Sequence, residues 1–310
     1  MANHLLRILS ICVLFTGAYP VAMAQSACPP VDWPLPALQK LKSTDWKTDA
    51  ATPPDALALS LLPCLGHRDP ELRDGVAFEA LSVWLRSGQL ALPSKLQIFN
   101  SQIAHLRHPE PQAAAKSNGF AQAFAALILA EIARADRIEP FLQPAQRSEL
   151  VHAGAAYLIG LEDYRGFIPA EGWRHGVAHG ADLAMQLALN TRTDRAQLEQ
   201  LVLAVQSQIA PLGTHAYIHG ESQRLARPVF FAVRRGQLDA NFWNTFVETI
   251  AAPAPLAQWS DAFQSLAGLA RLHNTKAFLH VLYFQVNEGT DTAVKELLAP
   301  ALLGALKNLP

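Results

Sequence analysis

The side chains best able to do chemistry in this sequence lie between residues 163 and 182. At 100° per residue, a helix that begins near Trp173 places His175, His179 and Asp182 within about 60° of one another. Two imidazoles and a carboxylate on one helical face can hold a metal ion, transfer protons or bind a polar ligand, and their spacing does not choose among these roles. Trp173 falls on the opposite, apolar face, which predicts a place in the core and leaves ligand contact as the alternative.

The His-x-x-x-His spacing of His175 and His179 allows three interpretations. The first is a buried hydrogen-bond network in which both imidazoles join Asp182 and Arg165. The second is a divalent transition metal such as zinc, held by His175, His179 and Asp182 with one position open to water. The third is metal-free acid–base chemistry or ligand contact. Because the glutamate of the zincin pattern is missing between the two histidines, the metal signal is weak.

Charged residues in the segment before this helix belong to the same candidate site. Asp163 and Arg165 follow a predicted helix at residues 144–160, where they could pair with each other or orient an imidazole of the next helix. Both are therefore candidate catalytic residues. Glu171 lies at the predicted helix start, where the macrodipole favours a negative charge, so we expect a capping role for it.

A second pair of histidines with the same spacing, His215 and His219, precedes Glu221 and Arg224. One predicted helix, residues 194–209, separates this segment from the first, and next-but-one helices stack in helical repeats. If the two segments are adjacent, up to four imidazoles meet in one binding site that includes Glu221 and Arg224. Chance clustering is the alternative.

The pattern of apolar residues predicts helices along almost the whole chain, and no segment alternates as a strand does. Short breaks that carry Pro, Gly or Asp separate them. An all-α fold of stacked helical hairpins follows, an α/α-superhelix of the HEAT or armadillo kind with degenerate repeats, and a closed α/α toroid is the alternative. The predicted helices span residues 54–65, 71–87, 93–106, 119–137, 144–160, 173–189, 194–209, 221–235, 239–250, 256–270, 274–287 and 291–306.

The first 24 residues carry the features of a cleaved secretion signal. Arg7 precedes an apolar run at residues 8–19, and Ala22-Met23-Ala24 fits the small-x-small pattern before a cleavage point. The run is shorter than the roughly 20 residues that span a bilayer. We therefore expect a mature protein that begins at Gln25, is periplasmic or secreted, and inserts into no membrane.

Removal of the signal leaves two cysteines, Cys28 and Cys64. An even pair in an oxidising compartment predicts a disulfide, with two packed free thiols as the alternative. The expected organisation is a signal peptide at 1–24, a Pro-rich leader and first helix at 25–66, and a helical-repeat domain at 67–310.

Composition and motifs narrow the function. The 310 residues are 50% hydrophobic and 16% charged, with a formal net charge of −1, and no basic stripe with interleaved aromatics argues for nucleic acid as a partner. G-x-S-x-G and Gly-rich phosphate motifs are also missing from the sequence. Two functions stay open. One is a non-enzymatic protein that binds a peptide, glycan or protein partner through a polar groove around the His175 helix, and the other is a metal-assisted hydrolase or lyase that uses His175, His179 and Asp182.

Residues 163–167 (Asp-Tyr-Arg-Gly-Phe) and 172–182 (Gly-Trp-Arg-His-Gly-Val-Ala-His-Gly-Ala-Asp) are similar to a bacterial family, domain of unknown function 2785. Its motifs are D-x-R-G-aromatic and G-W-x-H-x-x-A-H-x-A-D. A weaker resemblance covers residues 220–226, where Ser222 and Gln223 replace acidic residues of the family pattern. The resemblance extends over about residues 69–306 and implies a helical fold with this candidate site, but no established activity.

Overall fold

The computed structural model describes residues 27–49, 53–108 and 119–310, so the predicted signal peptide lies outside the described residues. Within these ranges the chain is mostly helical, and its two short strands pair with each other. The all-α prediction is therefore confirmed. None of the described helices combines the length and apolar character that crossing a membrane requires.

Twelve α-helices form most of the described part of the chain. They are α1 (Leu35–Lys42), α2 (Asp55–Ser60), α3 (Glu79–Ser87), α4 (Leu92–Arg107), α5 (Phe120–Ile138), α6 (Pro144–Gly160), α7 (Gly176–Leu189), α8 (Arg195–Ser207), α9 (Glu221–Arg234), α10 (Ala240–Ala251), α11 (Leu266–Glu288) and α12 (Thr292–Asn308). A π-helical stretch, Glu71–Phe78, leads into α3, and 3₁₀ turns occupy Leu62–Gly66 and Trp259–Gln264. The strands are β1 (Phe167–Ile168) and β2 (Gly172–Trp173).

Several helices begin where the sequence supplies a start signal. α6 begins at Pro144, whose ring sets the φ angle of the first turn and whose missing N–H needs no partner there. At the start of α8, Asp194 Oδ1 accepts the N–H of Gln197 at 2.9 Å, and Gln197 Oε1 accepts the N–H of Asp194 at 3.1 Å. The predicted bounds of α6, residues 144–160, are the observed ones.

Other predicted helices are wrong in their bounds. The helix predicted at 54–65 ends as α2 at Ser60 and continues as a 3₁₀ turn that contains Pro63, because proline lacks the N–H that an α-helical hydrogen bond needs. The two helices predicted at 256–270 and 274–287 are instead a 3₁₀ turn and the single helix α11. Ser265 starts α11, since its Oγ accepts the N–H of Gly268 at 3.0 Å.

Two further differences concern the N-terminal third. The helix predicted at 71–87 is π-helical up to Phe78 and α-helical only from Glu79. α1 is not among the predicted helices, although Pro34 and Pro36 around its first turn are compatible with a helix start. The prolines in and before its first turn favour an extended leader, so the sequence does not predict this helix.

α7 is the central helix of the fold. α5 and α9 pack against it, and α6 and α8 contact it as well. Small residues on α7 allow this close approach: a Cβ added at Gly180 would lie 2.6 Å from Leu158 Cδ2 of α6. Helices α5, α7, α9 and α11 pack one against the next, and α4, α6 and α8 do the same.

The N-terminal segment is joined to the rest of the protein covalently and by packing. Cys28 and Cys64 form a disulfide with a Cα–Cα distance of 5.3 Å, which confirms the predicted pairing. Trp46 packs edge-on against Trp84 of α3 with 6.0 Å between the ring centroids, and Trp84 Nε1 donates to the Trp46 carbonyl at 2.9 Å. This segment shares one hydrophobic core with the helices that follow.

Candidate functional site

A short β-hairpin precedes α7, and its second strand takes in Trp173, the residue at which the sequence predicts the helix to begin. β1 and β2 are antiparallel, with Phe167 opposite Trp173 and Ile168 opposite Gly172. The chain turns through Ala170 and Gly172, whose φ angles are 66° and 81°. A Cβ at Gly172 would lie 3.0 Å from Arg73 Nη2, so glycine suits both the backbone conformation and the close contact.

The prediction that Trp173 packs in the core is wrong. Trp173 belongs to β2 and precedes α7, so the 100° rotation per residue that assigns it to the apolar helix face does not apply. Its side chain is 41% exposed. The indole stacks on the His175 ring with 4.6 Å between centroids and meets the Phe167 ring, itself 49% exposed, at 5.2 Å.

His175 joins the hairpin to α7 in a left-handed backbone conformation, with φ of 51°. A non-glycine residue seldom adopts this conformation unless surrounding contacts impose it. Here the backbone N–H of His175 donates to the Arg165 carbonyl at 3.1 Å. The imidazole turns towards α9, where Nε2 bonds to the His219 carbonyl at 3.0 Å and lies 4.0 Å from Glu221 Oε1. Burial lowers the pKa of His175.

His179 lies one turn further along α7 and is buried. Its Nδ1 bonds to the carbonyl of Ala123 on α5 at 3.1 Å, and its ring meets the edge of Phe124 at 5.1 Å between centroids. Burial, with a smaller contribution from His175, lowers the pKa of His179 to about 3. The imidazole is therefore neutral at neutral pH.

Asp182, on the same face of α7, pairs with Arg224 of α9. Burial raises the pKa of this carboxyl, and Arg224 opposes that rise. The predicted network contains Arg165 in this role, and the prediction is wrong on that partner. Arg165 instead pairs with Asp163, two residues before it, at an exposed position. The guanidinium that completes the network comes from α9 because α9 packs directly on α7.

These side chains line a cavity of about 610 Å³ between α3, α5, α7 and α9. An ion pair of Arg86 of α3 and Glu131 of α5, with Arg86 Nε donating to Glu131 Oε2 at 2.7 Å, also lines this cavity. Arg134 lies beside it on α5. The α7 and α9 side of the cavity carries Trp173, His175, His179, Asp182, Gln186 and Arg224.

The second histidine segment lies beside the first, as the stacking of α7 and α9 requires. The His219 ring is 6.5 Å from His175 and 5.6 Å from Trp173. A Cβ at Gly166 would lie 2.1 Å from His219 Cδ2, so the residue before β1 and the segment before α9 are in direct contact. Three of the four imidazoles therefore gather.

His215 does not join that cluster. Its ring packs against Tyr164 at 5.8 Å and Tyr217 at 5.7 Å, away from His175. Glu221 is buried at the start of α9, where its carboxylate accepts the N–H of His219 at 2.8 Å. The predicted four-imidazole cluster is wrong for this one residue.

Metal binding by His175, His179 and Asp182 finds no support in the geometry. Among the described residues, no group of three or more His, Cys, Asp or Glu side chains is placed to hold a metal ion. One ring nitrogen of each histidine is bonded to a backbone carbonyl, and the Asp182 carboxylate faces the guanidinium of Arg224. The donors therefore do not converge on one point.

Two buried arginines, Arg73 and Arg174, which the sequence does not identify as site residues, contact the hairpin. The Arg73 and Arg174 guanidinium carbons lie 3.8 and 4.3 Å from the centroid of the Phe120 ring. Arg73 Nη2 also donates to the Glu171 carbonyl at 2.7 Å. Their only signal in the sequence is one arginine inside an apolar helical pattern and another beside Trp173.

The capping role predicted for Glu171 is wrong, because the residue lies in the hairpin turn and not at the start of α7. Its carboxylate accepts from Arg68 at 2.9 Å and from Arg174 at 3.4 Å. The hydrogen bond from Arg68 lowers the pKa of Glu171. Glu171 therefore fastens the hairpin turn to the segment that precedes α3.

The fold and this site define an all-α protein with a charged, aromatic-edged cavity on its central helix. The chain belongs to the family described as Protein of unknown function (DUF2785), whose model matches residues 112–284. This match confirms the family resemblance over a shorter range than 69–306, and it contains the hairpin and α5 to α9. Comparison with curated proteins and with solved structures gives no match for the chain.

Proposed function

We propose that this protein binds a glycan in the cavity beside α7. The observation that carries the proposal is the half-exposed Trp173 indole at the cavity, stacked on His175 next to the Asp182–Arg224 pair. An aromatic face takes up the C–H face of a sugar ring, and charged planar groups beside it bond to hydroxyl groups. The cavity volume of about 610 Å³ is within the range of small-ligand sites.

A glycan accounts for this cavity better than a folded protein partner does. A standard protein interface takes about 800 Å² from each partner and places aromatic anchors in apolar pockets. Here the site is concave and its walls carry three carboxylates, from Asp74, Glu131 and Asp182. An extended peptide would need a long unpaired strand edge, whereas the strands beside this cavity are two residues each.

The stacked-hairpin architecture belongs to the same proposal. The succession α5, α7, α9, α11 in one layer and α4, α6, α8 in another is the packing expected of an α/α-superhelix. In such a superhelix one layer forms the ligand-binding face. The cavity lies on the α5, α7 and α9 layer, which is consistent with that role.

Export is also proposed, from the signal features of residues 1–24 and from the Cys28–Cys64 disulfide, a bond typical of oxidising compartments. The intact mass of the protein from the periplasm or medium tests it. We expect the mass of a chain that begins at Gln25 and is two hydrogens short of the reduced form. A full-length mass would contradict cleavage.

The glycan proposal is tested with an array of neutral and acidic oligosaccharides and the purified mature protein. We expect binding that Trp173→Ala weakens at least tenfold, because the stacking surface is removed. Phe263→Ala is the matched control, since Phe263 is an exposed aromatic residue, 60% accessible, that does not line the cavity. Equal losses in both variants, or no binding to any glycan, would refute the proposal.

A further inference from the structure

We infer that the ligand of this cavity is an anionic glycan whose acidic group, a carboxylate or a sulfate, is bound by Arg134. This inference rests on the proposed glycan-binding function and names the class of glycan. Its basis is the balance of charge in the cavity wall, where one guanidinium has no acidic partner.

Each carboxylate of the cavity wall is already paired with an arginine. Asp74 lies 2.6 Å from Arg73 Nη2, and Asp182 is paired with Arg224. Glu131 accepts from Arg86. Each of the three lining carboxylates is thus paired with one guanidinium group. No lining carboxylate is left to neutralise a further cation.

Arg134 is the cation in excess. It lines the cavity from α5, and its side chain makes no ion pair or hydrogen bond with any residue in 27–49, 53–108 or 119–310. Arg137, one turn along the same helix, has only a neutral partner in that part of the chain, since its Nη2 donates to Gln186 Oε1 at 3.3 Å. Gln186 itself lines the cavity. This wall is therefore positive where the other walls are balanced.

The histidines do not change this balance. Burial lowers the pKa values of His175 and His179, so both rings are neutral at neutral pH. The charge that a ligand meets in the cavity is then set by the arginines and carboxylates. A guanidinium binds a carboxylate or sulfate through two parallel N–H donors, which is the geometry that an acidic sugar offers and a neutral sugar lacks.

The placement of the aromatic residues fits a ligand of this kind. Trp173 and Arg134 line the same cavity from different elements, the hairpin and α5. A sugar ring stacked on the indole can therefore direct its acidic substituent towards α5 while its hydroxyl groups face Asp182 and Arg224. Ring stacking supplies affinity for sugars in general, and Arg134 supplies the preference for charge.

The experiment compares matched ligands on the mature protein by isothermal calorimetry. The acidic oligosaccharides that bind best on the array are measured beside the same oligosaccharides with each carboxylate methyl-esterified or each sulfate removed. We expect the charged form to bind at least tenfold more tightly. Arg134→Gln should abolish this difference, and Arg134→Lys should restore only part of it. Arg192→Gln, which removes the same charge from an exposed residue outside the cavity, should leave it unchanged.

Each outcome separates the inference from the function on which it rests. Equal affinity for charged and neutral forms, with the Trp173→Ala loss intact, would overturn the inference and leave the glycan function standing. A charge preference that survives in Arg134→Gln would also overturn it. Competition by inorganic phosphate at equal concentration would show an unspecific anion site and contradict the inference. No glycan binding at all would refute the proposed function together with it.

Discussion

The ion pair between Asp182 and Arg224 gives the sharpest prediction about stability. The Asp182 side chain is 13% exposed, whereas the Arg224 side chain is 37% exposed. Arg224→Ala leaves a buried carboxylate without its partner, which costs about 3–5 kcal/mol where both groups are fully buried. Because solvent reaches Arg224 and screens part of the interaction, we expect the free energy of unfolding to fall by about 2 kcal/mol.

The loss should depend on pH. Burial raises the folded-state pKa of Asp182 above its value in the unfolded chain, and removal of Arg224 raises it further. An acid with a raised folded-state pKa does not destabilise the protein below its unfolded pKa. The destabilisation grows as pH rises between the two pKa values and is complete above the folded pKa. As pH falls through the folded pKa, the carboxyl takes up a proton and the penalty for its burial as a charge disappears. The Arg224→Ala loss should therefore be smaller at pH 4 than at pH 7.5.

Urea unfolding at pH 4 and pH 7.5, followed by circular dichroism, measures both effects. The double variant Arg224→Ala/Asp182→Asn removes the unpaired charge and should recover most of the stability lost at pH 7.5. Arg192→Ala is the control, because Arg192 is an exposed arginine outside the cavity and should change stability by no more than about 0.5 kcal/mol. Equal losses at both pH values, or no recovery in the double variant, would refute the reasoning.

Four more predictions concern other contacts of the described residues. Gly180→Ala places a methyl group 2.6 Å from Leu158 Cδ2 and should lower the free energy of unfolding by about 1–2 kcal/mol in urea titration. Replacing both Cys28 and Cys64 by Ser opens a loop of 36 residues and should cost about 4 kcal/mol, measured in the same way; a loss below 1 kcal/mol would contradict the chain-entropy argument. The pKa of His179 is lowered to about 3 in the folded protein, so its imidazole takes up a proton more readily in the unfolded chain. The free energy of unfolding should therefore fall as pH drops from 6.5 towards 3, and it should fall less steeply in His179→Phe. Arg165→Ala should cost less than about 1 kcal/mol by thermal denaturation, since its pair with Asp163 is exposed.

The sequence predicts the helices well where local signals and burial agree. Pro144 and the apolar period of residues 144–160 mark α6 at both ends. The break predicted near residue 272 fails because polar residues there are satisfied by tertiary contacts: Asn274 is buried in α11, where its Oδ1 accepts the N–H of Tyr217 at 2.8 Å. From sequence alone, a polar residue such as Asn274 indicates the end of a helix, because its hydrogen-bond partner in a distant segment is not visible there.

The candidate site is predicted correctly where helical spacing applies and incorrectly where it does not. His179 and Asp182 share a face of α7 and line one cavity, as 100° per residue requires. Trp173 precedes the helix, so its placement depends on a hairpin of two-residue strands that no periodicity announces. The sequence does not single out Arg134. Only the structure shows that the lining carboxylates pair with other arginines.

The contact between Gly166 and His219, next to the cavity residues Trp173 and His175, constrains which mutations this part of the protein tolerates. A Cβ at residue 166 would occupy the space of the His219 ring, at 2.1 Å from Cδ2. The two positions are therefore coupled: a larger side chain fits at residue 166 only if residue 219 carries a smaller one. A screen for second-site suppressors of Gly166→Ala would return small residues at position 219. Substitution at residue 219 by a smaller side chain would therefore have to precede any enlargement at residue 166.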